Sequence, residues 1–431
     1  MYDLAIIGGG SAGYSAAFEA VNRQLKVVLF ENSEIGGTCL NRGCVPTKYL
    51  SHSARLFRDI QSATSQGIIN DCPPFAFSAI QGEMNRILQA QRSTLHEALS
   101  EQIDLVSGTV SVVDNCTLVC DNVIYEARNI LIATGSKPSS PLLPEAITSD
   151  ELLKTEQVPS KLHILGGGTI AVEFANIYRA FGTDVTIYIR GDRILRKWDR
   201  EIATSVTQSF KKKGIIIRKN CDFSALGPLD GVIFSAAGRV PVLPQMPMEL
   251  VDLGETGGIV TDNYGQTKTN GIYAAGDVRD KSPQLAHIAM AQGRDIVRRI
   301  VGMPAAPEAE IVRCLYLDQE SASVGLDEQS ASNAGIEYLV GKANMYTNAR
   351  TMISTTERGF VKILAEKCTG RIIGAQLMCE RAGDIIAELA LAVNRGITCQ
   401  QMIDSIRPHP SYCEAVTDAL RSLETKLCTD I

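Results

Sequence analysis

The chain has 431 residues, which at roughly 150 per domain argues for about three domains. Its 42 Lys and Arg against 48 Asp and Glu leave a net charge of −6, which speaks against nucleic acid or an anionic membrane surface as the main partner. With 45% apolar residues it can fill several cores, yet no run of about eighteen apolar residues exists to span a membrane.

The first residues, Leu4-Ala5-Ile6-Ile7, read as a strand. They leave no room for a signal or transit peptide, so the cytoplasm is expected. Gly8-Gly9-Gly10-Ser11-Ala12-Gly13 follows, then helical spacing over 14–22 and a strand over 26–31. This is a βαβ unit with a glycine fingerprint at its first turn. Gly8 makes the tight turn, Gly10 lets a pyrophosphate approach the backbone, and Gly13 lets helix and strand pack closely. The helix N-terminus offers N–H groups to phosphates. Glu31, eighteen residues past Gly13, suits a ribose hydroxyl.

Next comes Gly36-Gly37-Thr38-Cys39-Leu40-Asn41-Arg42-Gly43-Cys44-Val45-Pro46-Thr47-Lys48. The two cysteines are close enough for a disulfide, and Pro46 suits the first turn of a helix whose N-terminus favours a thiolate. A zinc site would need two further ligands at matching spacing, and none is near. The other ten of the twelve cysteines, Cys428 among them, are scattered and read as small hydrophobes in a reducing compartment. A mostly helical stretch is expected over 47–101, broken at Asp71-Cys72-Pro73-Pro74, followed by short strands over 105–124. Ile130-Leu131-Ile132-Ala133-Thr134-Gly135 reads as a buried strand ending at a glycine, and 137–144 as a proline-rich linker.

The fingerprint then returns. Leu162-His163-Ile164-Leu165 leads into Gly166-Gly167-Gly168-Thr169-Ile170-Ala171, a helix to about residue 181, and a strand over 184–189. Two such units imply two dinucleotide sites, with Gly166, Gly168 and Ala171 in the second. Eighteen residues past Ala171 stands Ile189, which cannot bind a ribose diol, and Arg190 and Arg196 follow it. Loss of the acid and gain of arginines suits a 2′-phosphate. The first site therefore reads as FAD and the second as NADP(H). Lys211-Lys212-Lys213 is expected to be a solvated helix end. Residues 271–277 read as a strand ending in Gly276-Asp277, and 301–310 as a linker to a last domain.

The residues 39–48 block, Ala133-Thr134-Gly135, Ala274-Ala275-Gly276-Asp277 and His409-Pro410-Ser411-Tyr412-Cys413-Glu414 together resemble the class I pyridine nucleotide–disulfide oxidoreductases. The likeness covers essentially the whole chain. It implies an α/β fold of two Rossmann-like domains, for FAD and NADP, plus a C-terminal α+β dimerisation domain with a mixed sheet and helices. The expected division is 1–147 and 262–302 for FAD, 148–261 for NADP and 303–431 for dimerisation. The resemblance makes Cys39 the exchange thiol and Cys44 the thiol against the flavin, with Lys48 near the flavin and paired with Glu173. Asp277 would hold the ribitol, and Thr134 and Gly135 would line FAD. Thr38 and Gly238 fall among the cofactor-binding residues. His409, oriented by Glu414, would act as acid–base and enter the site from the partner subunit of a homodimer.

The residues support part of this independently. Thiol exchange needs a base near neutrality, and His409 is stiffened by Pro408 and Pro410, with Glu414 within reach. His163 sits in a buried strand and reads as packed. Substrate choice leans toward dihydrolipoamide/lipoamide, free or as a lipoyl group on a carrier protein. Phe18 and Glu19 stand where glutathione reductases carry arginines, and the tail has only Cys428 rather than a redox pair. Leu285-Ala286-His287, Gly374-Ala375-Gln376-Leu377-Met378 and Arg407-Pro408-His409-Pro410 resemble dihydrolipoamide dehydrogenase. Ile189 departs from that pattern, Thr169 stands where glutathione reductases often have a tyrosine, and only a short stretch joins Ile217 to Ile233. The alternatives are an NADPH-dependent reductase of another small disulfide, such as glutathione disulfide, and a slow redox sensor or structural subunit.

Overall fold

Successive residues of a strand face opposite sides of its sheet. All four residues of Leu4–Ile7 are apolar because both sides here are covered. In the computed structural model, which describes residues 1–304, 309–354 and 359–429, this strand is the centre of a five-stranded parallel sheet. The order is Ile272–Ala274, Ile130–Ile132, Leu4–Ile7, Val27–Glu31 and Asp104–Ser107. Leu4, Ile6 and Leu29 share a core with Ala12, Ala16 and Ala20 of the helix Ser11–Asn22 and with Ile296 and Val297 of the helix Ala286–Ile300. Ala5, Ile7, Val28 and Phe30 pack instead with Val110, Val112 and Leu118 of an antiparallel meander, Val110–Val112, Thr117–Cys120 and Val123–Glu126. Parallel strands buried on both faces explain the unbroken apolar runs.

This sheet belongs to the first of two compact units, Met1–Ser53, Pro73–Val158 and Ala237–Glu308. The expected helical stretch is two helices, Cys44–Ser65 and Phe77–Ser100, separated at the expected break. The linker expected over 137–144 is corrected in its first residues. Ser136–Pro138 is a strand, paired antiparallel with Arg239–Pro241.

The second unit is Ala54–Cys72, Pro159–Ala236 and Ala309–Ile431. It holds a four-stranded parallel sheet in the order Ile216–Arg218, Asp184–Tyr188, Lys161–Leu165 and Val232–Ser235. The helices Thr169–Ala180 and Arg200–Lys212 accompany it. Only a 3-10 turn, Phe223–Ala225, lies between the strands Ile216–Arg218 and Val232–Ser235, as the short sequence there required.

The same unit contains a second sheet, ordered Arg313–Leu315, Ser321–Gly325, Ile372–Met378, Phe360–Glu366 and Tyr338–Asn344. Every pairing in it is antiparallel, so the expectation of a mixed sheet is corrected. Its core is closed by the helices Ala382–Arg395 and Glu414–Thr429 through Ile386, Leu389, Val416 and Leu420.

Two further expectations change. Among the scattered cysteines, Cys120, Cys379 and Cys399 are buried, but Cys72 and Cys368 are exposed. The Cys428 side chain lies outside the described residues, as do 305–308 of the expected linker. Lys213 is not a solvated lysine: its Nζ reaches Asp318 at 2.5 Å and Asn176 at 3.2 Å. Among the described residues no helix is long and apolar enough to cross a membrane.

Candidate active site

The first glycine turn works as its spacing requires. Gly8 has φ +103°, and a Cβ there would lie 2.5 Å from Ala133 O. A Cβ on Gly13 would lie 1.9 Å from Gly8 O, so only glycine lets the helix sit this close to the strand. Gly10 is the N-cap of Ser11–Asn22, and no side chain caps that helix. Its first N–H groups are therefore available to a ligand. Glu31 ends the strand with Oε2 accepting the Gly9 N–H at 2.8 Å and Oε1 accepting the Ser33 N–H at 2.9 Å. Asp277 accepts the Ser136 hydroxyl at 2.6 Å. Thr134 Oγ1 donates to Val242 O at 2.5 Å, and Gly135 beside it has φ +70°.

Gly36 and Gly37 turn the chain into the short helix Gly37–Arg42, which carries Thr38 and Cys39. Asn41 pins that helix, its Nδ2 donating to Glu34 O, Ile35 O and Gly37 O at 3.2, 3.0 and 2.9 Å. Cys44 opens the long helix Cys44–Ser65, so Pro46 stands in its first turn and Lys48 just beyond. The two thiols are unbridged and hydrogen bonded to each other. That bond, then burial, then the charge of Cys44 push the Cys39 pKa well up, opposed by the Ser11 hydroxyl. Ser11 also hydrogen bonds Tyr14, whose pKa is raised by burial. Cys44 is the more exposed of the pair and stands at a helix N-terminus, where a thiolate is favoured.

Sequence reasoning missed Arg239, Ser136, Ser11 and Tyr14. Arg239 Nε donates to Ser136 Oγ at 2.9 Å, and Nη2 donates to Ser136 O at 2.7 Å and Thr38 Oγ1 at 3.3 Å. Its position directly after Gly238, at the head of a strand, was the available signal.

At the second glycine turn, a Cβ on Gly166 would lie 2.5 Å from Ala236 O. Gly168 caps Thr169–Ala180, with no side-chain cap, and Ala171 is buried in its first turn. Ile189 is buried, its Cγ2 beneath Gly167. Arg190 and Arg196 are both exposed. The Arg190 guanidinium lies 5.9 Å from the Phe223 ring centre, and Arg196 lies against Gly191. Arg193 braces the loop by donating to Arg196 O at 3.0 Å. Glu173 is buried in the helix and accepts the Tyr316 N–H at 3.0 Å. Lys48 belongs to the first unit and Glu173 to the second.

His409 Nδ1 and Glu414 Oε1 are 2.8 Å apart, and Glu414 Oε2 accepts the Ser411 N–H at 2.8 Å. These two bonds hold the Glu414 pKa below the usual carboxylate range. The His409 side chain is 72% exposed, so its Nε2 edge faces outward. The His409–Pro410 peptide is cis.

Glu19 does not face solvent: it is buried, with Arg23 Nη2 at 2.9 Å and Arg298 Nε at 3.0 Å on one oxygen. Phe18 packs against the core of the first unit. His163 is packed, its Nε2 2.9 Å from Asp230 O, whereas His287 is exposed.

The family described as pyridine nucleotide-disulphide oxidoreductase matches residues 2–293. The chain belongs to that family. The dimerisation domain of the same family matches residues 311–420 of this oxidoreductase. It is 31% identical to a dihydrolipoyl dehydrogenase of Mycoplasma genitalium over 451 residues, covering 97% of this chain and 98% of the relative. The solved structure of LpdA from Mycobacterium tuberculosis superposes with a TM-score of 0.90 at 25% identity, over 98% of this chain and 99% of that one. The HOCl-induced flavoprotein disulfide reductase RclA from Escherichia coli gives 0.87 at 25% identity, over the same shares.

The family is FAD-dependent, with NAD(P) as electron donor. The residues of this oxidoreductase fit both groups. A Cβ on Gly10 would meet only Gly37 Cα, at 3.7 Å, and one on Gly168 would meet nothing within 4 Å. Each uncapped helix thus offers its N–H groups across a clear approach, as a pyrophosphate needs.

Proposed function

We propose that this oxidoreductase moves electrons between NADP(H) and dihydrolipoamide/lipoamide through Cys39 and Cys44, as a cytoplasmic homodimer. FAD is assigned to residues 1–147 and 262–302, NADP(H) to 148–261 and dimerisation to 303–431. The observation that carries the reading is the Cys39–Cys44 thiol pair at the head of a long helix, in the same unit as the uncapped turn with Glu31. The name dihydrolipoyl dehydrogenase borne by full-length relatives supports the substrate. So does the helix Ser11–Asn22, which brings Ser11 and Tyr14 to Cys39 and carries no cationic side chain. A thin apolar arm suits such a wall, whereas glutathione disulfide, a polyanion, needs cations.

Gly8, Gly10, Gly13, Glu31, Thr134, Gly135 and Asp277 would hold FAD, which would supply the two-electron link between coenzyme and disulfide. In the oxidised pair, a dihydrolipoamide thiolate attacks the Cys39 sulfur and releases Cys44 as thiolate. The second substrate thiolate attacks its own sulfur in that mixed disulfide and releases Cys39. His409, contributed by the partner subunit and steadied by Glu414, accepts the thiol proton. Its outward-facing ring is the form such a contribution requires.

Ile189, Arg190 and Arg196 favour one second reading, a reductase that spends NADPH on another small disulfide. The deciding assay is kcat/KM for lipoamide, glutathione disulfide, coenzyme A disulfide and cystine with NADPH, plus dihydrolipoamide with NADP⁺. Lipoamide should lead. Another disulfide better by tenfold or more replaces the substrate assignment.

A further inference from the structure

Arg239 is a buried cation for which the exchange chemistry has so far had no use. Its side chain is only 12% exposed. A buried guanidinium normally faces a close carboxylate. Here its three short hydrogen bonds go to neutral oxygens: Ser136 Oγ, Ser136 O and Thr38 Oγ1. The nearest acid is Asp150, 4.0 Å from Nη1, and that carboxylate is shared with Arg42 at 3.7 Å. Asp277 comes next, and its Oδ2 is occupied by the Ser136 hydroxyl. The positive charge is thus only partly balanced by its neighbours.

The chain geometry shows what completes the balance. Thr38 precedes Cys39 in the short helix, so the bond to Thr38 ties Arg239 to the segment that carries the redox pair. Gly43, which joins that helix to Cys44, lies so close beneath Thr38 that a Cβ on it would be 2.9 Å from Thr38 O. Arg239 and Cys44 are within Coulombic reach of each other. Among the titratable groups that face Cys44 are Cys39 and Tyr14, and Lys48 stands one turn along its own helix.

We propose that Arg239 is a positioning residue for the redox pair, whose buried charge holds Cys44 as a thiolate while its Thr38 and Ser136 bonds fix the redox helix to the Asp277 strand end. Burial pulls the Arg239 pKa down, but a guanidinium stays charged across the working range, so the field it supplies is permanent. Cys39, pushed the other way, keeps its proton. The reduced pair is therefore polarised, with the proton on Cys39 and the negative charge on Cys44.

The inference rests on Cys44 being the redox thiol and is read without any disulfide substrate. In FAD-loaded Cys39→Ser protein, the pH midpoint of the long-wavelength thiolate–flavin absorbance reports Cys44 ionisation. Adding Arg239→Gln should raise that midpoint by about one pH unit or more, a tenfold loss of thiolate at a given pH. Arg239→Lys keeps the charge and should stay within about half a unit of the parent. Asp150→Asn leaves Arg239 in place, removes its nearest acid, and should lower the midpoint. An unmoved midpoint in Arg239→Gln, a lysine variant that shifts as far as glutamine, or no downward shift in Asp150→Asn overturns the proposal. If Arg239→Gln does not fold, the lysine and asparagine arms decide. Absence of the band in the parent overturns both this proposal and the role of Cys44. A normal band without lipoamide turnover removes only the substrate.

Discussion

Glu31 and Ile189 stand in the same place in the two glycine turns. Glu31 Oε2 lies 3.3 Å from where a Cβ on Gly9 would be, and Ile189 Cγ2 lies 2.6 Å from the corresponding point on Gly167. Gly9 and Gly167 are each the second glycine of their turn. In one copy a carboxylate stands at the turn and accepts the Gly9 N–H. In the other a buried aliphatic group seals the floor, and the next residue, Arg190, points to solvent.

Coenzyme preference should follow from that exchange. Among the described residues neither Arg190 nor Arg196 is in an ion pair, so both are available to a 2′-phosphate. One or two charge-assisted bonds, roughly 1.5–3 kcal/mol each, give a preference for NADPH over NADH between about tenfold and about 10⁴-fold. Neutralising both arginines should erase most of it. Equal kcat/KM for the two coenzymes in the unmodified enzyme would mark them as ordinary surface residues.

Glu414 should remain ionised through the acid limb of the pH profile. The Ser411 N–H and His409 depress its folded pKa below its unfolded value. A depressed carboxylate contributes above its unfolded pKa and loses that contribution as pH falls through the folded value. The contribution is therefore intact at neutral pH and fades only below the usual carboxylate range, about pH 4. His409→Ala should cost about 10²–10⁴ in turnover. Glu414→Gln should cost less and move the acid limb, because the histidine loses its negative partner. An unmoved limb in Glu414→Gln would separate the dyad from the proton step.

Periodicity and glycine spacing made the two parallel sheets legible, because buried strands and the Gly8, Gly13 and Gly166 turns leave few alternatives. The antiparallel pairing of Ser321–Gly325 with Ile372–Met378 was not legible, since strand direction depends on long-range connection rather than on local pattern. Glu19 shows the same limit. Its burial depends on Arg298, far along the chain, folding against it. Arg239 was hidden for that reason too: its partners Thr38 and Ser136 are distant in sequence.

Lys362 should prove necessary to the second unit. It is 1% exposed, and its Nζ meets Asp199 and Glu328 at 2.8 Å each. Asp199 is itself buried and caps the helix Arg200–Lys212 through the Glu201 and Ile202 N–H groups. Lys362→Met strands that carboxylate and should cost about 3–5 kcal/mol. Adding Asp199→Asn, which removes the stranded charge, should recover part of the loss. Urea unfolding of the single and double variants checks this, and an additive double variant would mean the two residues act separately.

Cys39→Ser and Cys44→Ser should each abolish disulfide turnover, for different reasons. Cys44 stands at a helix N-terminus, where a thiolate is favoured, while Cys39 holds its proton through the hydrogen bond to Cys44 and through burial. In the reduced enzyme the pair should therefore lose one proton well before the other. Cys39 needs an outside base before it can attack a disulfide, which assigns the slow proton to His409. Removing Cys44 should also take away the acceptor of the Cys39 S–H and bring the Cys39 pKa down. Cysteine-selective labelling at position 39 across pH, followed by peptide mass spectrometry, would show faster labelling in Cys44→Ser than in the reduced parent at the same pH. Slower labelling there would mean that Cys44 activates Cys39 rather than holding its proton, and the order of ionisation in the pair would be reversed.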